Sequence, residues 1–176
     1  MSLKTKYIKL KTLLFGSLTI AVEQGLHAED GVTVMKGVDF GSEPYLITLK
    51  KRCRITQDVV FITHDGGTWA FRHHFPEYSS VIKYGRIEVG EETFIGARSI
   101  IMPGITIGRN CVIAAGSIVT KDIPDFSVAV GVPAKVICTT QEYAERCKEK
   151  MEKQFPAFDE NEYLADKRTY LEKHLK

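Results

Sequence analysis

No stretch of this 176-residue sequence stays apolar for the roughly 18 to 20 residues that a membrane helix requires. Net charge is equally scarce. The 24 Lys and Arg against 22 Asp and Glu leave +2, which gives no electrostatic case for a nucleic-acid partner. The four cysteines, Cys53, Cys111, Cys138 and Cys147, include no CxxC pair, so no zinc site is expected. A reduced, cytoplasmic setting suits them best. Disorder is excluded too, because 44% of residues are apolar and 26% charged. The length corresponds to about one domain. Glycine is ordinary in number, yet five of the 14, Gly90, Gly96, Gly104, Gly108 and Gly116, crowd into 27 residues.

The start of the chain is ambiguous by composition. Thr12 to Val22 is eleven uncharged residues behind Lys4, Lys6, Lys9 and Lys11, which has the outline of a signal peptide. Gly16, Ser17 and Thr19 dilute the apolar stretch, and Leu26-His27-Ala28 is a poor cleavage pattern. Residues 1–30 are therefore expected to form a helical N-terminal segment without stable membrane insertion.

The glycine cluster belongs to a six-residue repeat. From Val89 every sixth residue is aliphatic: Val89, Ile95, Ile101, Ile107, Ile113 and Val119. The residue after each is mostly small, as is the fifth position, Thr93, Ser99, Ile105, Cys111 and Ser117. Neither a helix nor an isolated strand has this period. Six residues are three strand steps, so one side chain per short strand points inward and the small residues permit a sharp turn. Three such units close a coil of about 18 residues, and coils stack about 4.8 Å apart as strands do. A parallel β-helix is the expected architecture.

The same phase is present earlier. Val34, Phe40 and Leu46 are six apart, as are Leu49, Ile55 and Phe61, and the step from Leu46 to Leu49 breaks phase. Cys53 falls on the small fifth position, as Cys111 does, so both are expected inside the coil. Phe61 to Val89 is no multiple of six. Residues of about 65–86 should therefore leave the coil as an excursion, and long excursions are usually functional. Pro124 and Pro133 should close the last coil, with Val128 to Val136 as a final strand. The coil domain is then 31–137 and the charged tail 138–176 is helical. Thr139 with Glu142 suggests a capping box, and Asp159 with Glu162 a second helix running to the end.

The run IGARSIIMPGITIGRNCVIAAGSIVTKDIPDFSVAVGVPAKVI resembles the left-handed β-helix acyltransferases of the hexapeptide-repeat superfamily. The segments FGSEPYLITL and ITHDGGTWAFR look like the sugar and surface-polysaccharide O-acetyltransferases among them. The resemblance covers about residues 32–137. It implies an all-β core, a left-handed parallel β-helix flanked by short N-terminal helices and the helical tail. It also implies a homotrimer with sites between subunits, a saccharide or other small-molecule acceptor, and acetyl-coenzyme A as co-substrate.

His64 is the candidate catalyst. Acyl transfer to a hydroxyl needs a base active near neutral pH, and the resemblance assigns that role to a histidine at this position. The acceptor would attack the thioester directly, and the oxyanion would need a backbone donor such as that at Ala97. Glu43 and Trp69 are candidate acceptor contacts. The matching position in relatives holds either the acceptor or the histidine. Asp65 is an alternative partner for His64. By resemblance, Ala97, Ala115, Thr120, Lys121 and Lys135 bind coenzyme A, the alanines through backbone groups and the lysines through phosphates.

Serine acetylation is disfavoured, because about 30 residues precede the coil where a large helical domain is usual. Antibiotic or amino-sugar acetylation remains an alternative. A zinc enzyme like the γ-type carbonic anhydrases needs three coil histidines, and the repeats hold only His64, so no metal is expected. A non-catalytic hexapeptide scaffold is the remaining alternative.

Overall fold

The computed structural model describes residues 16–175, so the lysine-rich start and the first four residues of the apolar stretch, 12–15, lie outside the described residues. Among the described residues the first helix is α1 (Ser17–Glu23), with Ile20 and Ala21 buried. The chain divides at Thr139/Thr140 into two compact units.

The first unit is a coil of very short strands in three sheets, parallel except for one edge strand. One sheet holds β1 (His27–Ala28), β3 (Ile47–Leu49), β6 (Ile87–Val89) and β9 (Thr106–Ile107). The second holds β2 (Thr33–Val34), β4 (Arg54–Ile55), β7 (Phe94–Ile95), β10 (Val112–Ile113) and β12 (Ser127–Val130). The third holds β5 (Val60–Phe61), β8 (Ile100–Ile101) and β11 (Ile118–Val119). From β6 the chain visits the three sheets in turn, so each strand pairs with the one a full coil away. Glu88 pairs with Thr106, Phe94 with Val112 and Ile100 with Ile118, each eighteen positions apart. That spacing is three hexapeptides.

The sequence explains the register. Val89, Ile95, Ile101, Ile107, Ile113 and Val119 are all essentially inaccessible. Each such burial contributes about 1.5–3 kcal/mol. The fifth-position residues Thr93, Ser99, Ile105, Cys111 and Ser117 are buried as well. Between them the backbone takes a left-handed residue every sixth position, at Glu92, Arg98, Gly104, Asn110 and Gly116. These residues are the coil's corners. Gly96 answers a different demand: a Cβ there would lie 2.4 Å from the Ala115 nitrogen of the next coil.

Two departures from strict period have local causes. Leu46 is not an inward repeat residue. Pro44–Leu46 form a 3-10 turn, and Ile47 and Leu49 fill the core in its place. That turn adds three residues to its coil, so Thr33 pairs with Arg54 twenty-one positions on. Leu49 pairs with Val89, forty positions on, which leaves twenty-two residues outside the coil. The stems of this excursion are zipped, with Asp65 N–H donating to Lys83 O (2.8 Å) and Gly85 N–H to Thr63 O (2.9 Å). Between them lie a 3-10 turn at Gly66–Thr68, α2 (Trp69–Arg72) and a 3-10 turn at Pro76–Tyr78.

The expected single strand Val128 to Val136 is two strands. β12 turns at Gly131, whose φ is 102°, and β13 (Lys135–Thr139) returns antiparallel to it. Both halves are apolar, so periodicity alone does not mark the reversal; Gly131 and Pro133 do.

The second unit holds α3 (Thr140–Gln154), α4 (Glu160–Ala165) and α5 (Lys167–His174). Asp159 caps α4 by accepting from Glu162 N–H, as expected, but the helix does not run on. Asp166 breaks it and caps α5 by accepting from Thr169 N–H. Tyr170 is the buried centre of this unit, with its ring 4.5 Å from that of His174 and 5.8 Å from those of Phe158 and Tyr163. No helix among the described residues is long and apolar enough to cross a membrane.

Candidate active site

His64 follows β5 at the point where the excursion leaves the coil. Its Nδ1 lies 2.9 Å from Glu43 Oε2. Glu43 immediately precedes the Pro44–Leu46 turn, and the same Oε2 accepts the Thr63 hydroxyl at 2.6 Å. Thr63 is fully buried, the Glu43 side chain is 14% exposed and that of His64 43%. The Thr63 hydroxyl chiefly holds the Glu43 carboxyl below its ordinary value. Burial opposes this, and the bond and charge of His64 reinforce it. A carboxylate only accepts hydrogen bonds, so Nδ1 carries the proton. Nε2, which has no partner among the described residues, is the imidazole's basic nitrogen. The arrangement is thus a partly buried carboxylate that fixes the tautomer of a half-exposed imidazole.

Glu43 is therefore bonded to the histidine, where the sequence offered acceptor or histidine. The structure also decides against Asp65 as the histidine's partner. Asp65 Oδ2 binds Lys83 Nζ at 3.0 Å and Oδ1 accepts Gly67 N–H at 2.9 Å, and Lys83 chiefly holds its carboxyl low. Neighbouring side chains on an extended segment diverge, which is why these two part.

A cleft of about 160 Å³ opens beside the imidazole, lined by His64, Thr68, Trp69, Arg72, Lys83 and Tyr84. Tyr84 is bridged to His64 through the backbone, and the two rings lie 5.5 Å apart. Trp69 is 70% exposed at the rim. Sequence reasoning had singled out Trp69 and His64 but not Thr63, Arg72 or Tyr84. Tyr84 reaches the site through the zipped stems, which no short-range pattern announces.

The residues expected to hold coenzyme A divide between two corners of the coil. Ala97 and Ala115 are stacked at the entrance to the third sheet, where Gly116 N–H donates to Ala97 O at 2.8 Å. The N–H groups of Ala97 and Ala115 themselves have no partner among the described residues. Lys135 follows Ala134, whose N–H donates to Ile118 O, in the layer beyond Ala115. Thr120 and Lys121 follow β11 at the exit of that sheet, the end at which His64 follows β5. Lys121 and Lys135 are exposed and make no ion pair among the described residues. Unbonded amides and unpaired ammonium groups are a donor set that fits amide and phosphate groups. Ala97 and His64 of one chain stand at opposite ends of one face.

Residues 86–121 match the family described as the hexapeptide repeat of succinyl-transferase. Protein CapG of Staphylococcus aureus is 45% identical over 104 residues, which are 59% of this chain and 59% of CapG. YvoF of Bacillus subtilis (strain 168), named as a candidate acetyltransferase, is 28% identical over 84% of this chain and 77% of its own. Among solved structures, the polySia specific acetyltransferase NeuO superposes with a TM-score of 0.53 at 28% identity, covering 61% of this chain and 49% of that one.

Proposed function

We propose that this chain, which belongs with the hexapeptide-repeat acetyltransferases, transfers acetyl from acetyl-coenzyme A to a hydroxyl of a sugar or surface-polysaccharide precursor. The observation that carries the reading is the Glu43–His64 pair at the mouth of the cleft. Glu43 holds the Nδ1 proton and aims Nε2. Nε2 then takes the proton of an acceptor hydroxyl seated in the cleft, and Glu43 stabilises the imidazolium that results. Acetyl-coenzyme A, when bound, supplies the activated acyl group as a thioester.

The division of the site between two corners supports a homotrimer with the left-handed coil of the resemblance. Ala97, Ala115 and Lys135 of one copy would face His64, Thr120 and Lys121 of the next across a groove between subunits. The two free alanine amides would pair with the pantetheine arm, and Ala97 would serve as backbone donor to developing negative charge. Lys121 and Lys135 would meet the nucleotide phosphates. The coil's exposed apolar residues Val132 and Ile137 are of the kind that such an interface covers.

A thiol-release assay with acetyl-coenzyme A and a panel of sugars and nucleotide sugars tests the reading. The expected result is transfer by the wild type and none by His64→Ala, with the trimer and cofactor binding retained. Full activity in His64→Ala overturns the mechanism.

A further inference from the structure

Arg72 is the cleft's unsatisfied charge. It closes α2, its Nε is shielded from solvent, and that nitrogen has no hydrogen-bond acceptor. It makes no ion pair among the described residues. The other polar groups of the same cleft are partnered: the Lys83 ammonium by Asp65 at 3.0 Å, and the His64 imidazole by Glu43 at 2.9 Å. A desolvated guanidinium donor without an acceptor is costly, and a fold retains one where a ligand completes it.

We propose that Arg72 receives an anionic group of the acceptor, a carboxylate or a phosphate, while the acceptor's hydroxyl meets His64 Nε2. The planar guanidinium offers a fork of N–H donors that fits two oxygens of one such group. The hydroxyls of a neutral sugar could accept from Nε but would leave the positive charge unmatched. Lys83 does not compete for the anion, because Asp65 holds it. The broad exposed ring of Trp69, at the start of the same short helix, supplies an apolar face for the sugar ring between the two polar ends. Arg72 thus sets acceptor class, and the acceptor is an acidic or phosphorylated sugar.

This inference rests on the assignment of the cleft beside His64 as the acceptor site, and its test is arranged to separate the two. Titration calorimetry on the full chain, with glucuronic acid, glucose 1-phosphate and glucose as probes, compares wild type with Arg72→Gln and Arg72→Lys. We expect at least one anionic probe to bind about tenfold or more tightly than glucose. Arg72→Gln should erase that preference, weakening the anionic probe far more than glucose. Arg72→Lys should keep part of it. Which anionic probe wins tells carboxylate from phosphate. Equal binding of all three probes to the wild type overturns the proposal. So does an Arg72→Gln effect on the KM for acetyl-coenzyme A in place of the acceptor, which would assign the guanidinium to the cofactor. Transfer that proceeds equally well to neutral sugars overturns the anion site and leaves the transferase. Anion-selective binding with no transfer to any probe has the opposite meaning.

Discussion

Glu43 and His64, twenty-one positions apart, meet through a 2.9 Å contact between Oε2 and Nδ1 because one coil of the chain brings them into adjacent layers. Glu43→Gln should leave the coil folded but lose the charge that stabilises the imidazolium. The amide can also present its NH₂ to Nδ1 and so select the wrong tautomer. We expect kcat to fall on the order of 10²-fold, with the KM for acetyl-coenzyme A little changed. Steady-state kinetics at saturating cofactor measure this. A KM effect alone would make Glu43 an acceptor contact and not a positioning residue.

The same carboxylate carries a pH signature. The Thr63 hydroxyl chiefly depresses the Glu43 pKa from 4.5 in the folded chain, so the charged form is favoured by folding. Its contribution to stability is therefore complete above about 4.5. It is lost as pH falls through the lower folded value. Urea unfolding of wild type and Glu43→Gln should show a stability gap at pH 7 that narrows below pH 4.5. A gap that stays constant through this range would show that the carboxylate's charge is not what Thr63 and His64 stabilise.

Two glycines of the cluster should fail for different reasons. Gly96→Ala drives a methyl to within 2.4 Å of a backbone nitrogen in the next coil, and backbone cannot step aside cheaply. Gly104→Ala meets nothing within 4 Å but must hold φ at +80°. Overpacking costs about 1–3 kcal/mol, and the left-handed backbone about 1 kcal/mol. Thermal unfolding should rank Gly96→Ala as the more damaging. Gly104→Asn should recover part of the loss at its site, because Asn110 already occupies the equivalent corner at φ 53°.

Those glycines also mark how much of the structure was legible in the sequence. The aliphatic residues at period six announced the coil, its phase and its inward face, because burial acts at every repeat. The corner conformation was less visible. Glu92 and Arg98 take left-handed φ although nothing in their side chains favours it; the closure of the coil imposes it on them. His64 could be picked out by its place after the last regular repeat. Glu43 was visible as a candidate but its use was not. That depended on the Pro44–Leu46 turn and on Thr63 sharing one oxygen, which are tertiary facts. Arg72 and Tyr84 were invisible, since an irregular excursion has no period to read.

The cysteines offer a chemical test of the interior. Burial chiefly pushes the Cys53 thiol up to about 12 and raises that of Cys111 too. Thiolate is the reactive form, so both should resist alkylation in the native state. Cys147 is exposed on α3. Iodoacetamide labelling followed by mass spectrometry at pH 8 should modify Cys147 rapidly. Cys53 and Cys111 should react only after denaturation. Fast native labelling of Cys53 would contradict its place in the core.

Thr93 shows why a buried fifth position is polar at all. Its hydroxyl donates to Gly108 O at 2.7 Å and accepts from Cys111 N–H at 3.0 Å, tying one coil to the next. Thr93→Val keeps the shape and removes both bonds, leaving a partly buried carbonyl and a buried N–H to find partners. Each such loss costs about 1–3 kcal/mol. The variant should therefore unfold at clearly lower urea than wild type despite its more apolar side chain. Thr93→Ser gives up only a methyl and keeps the hydroxyl. It should fall between the two and nearer the wild type. If Thr93→Val proved as stable as wild type, the small fifth position would be a matter of volume alone, and the hydroxyl ties between coils would carry no stability.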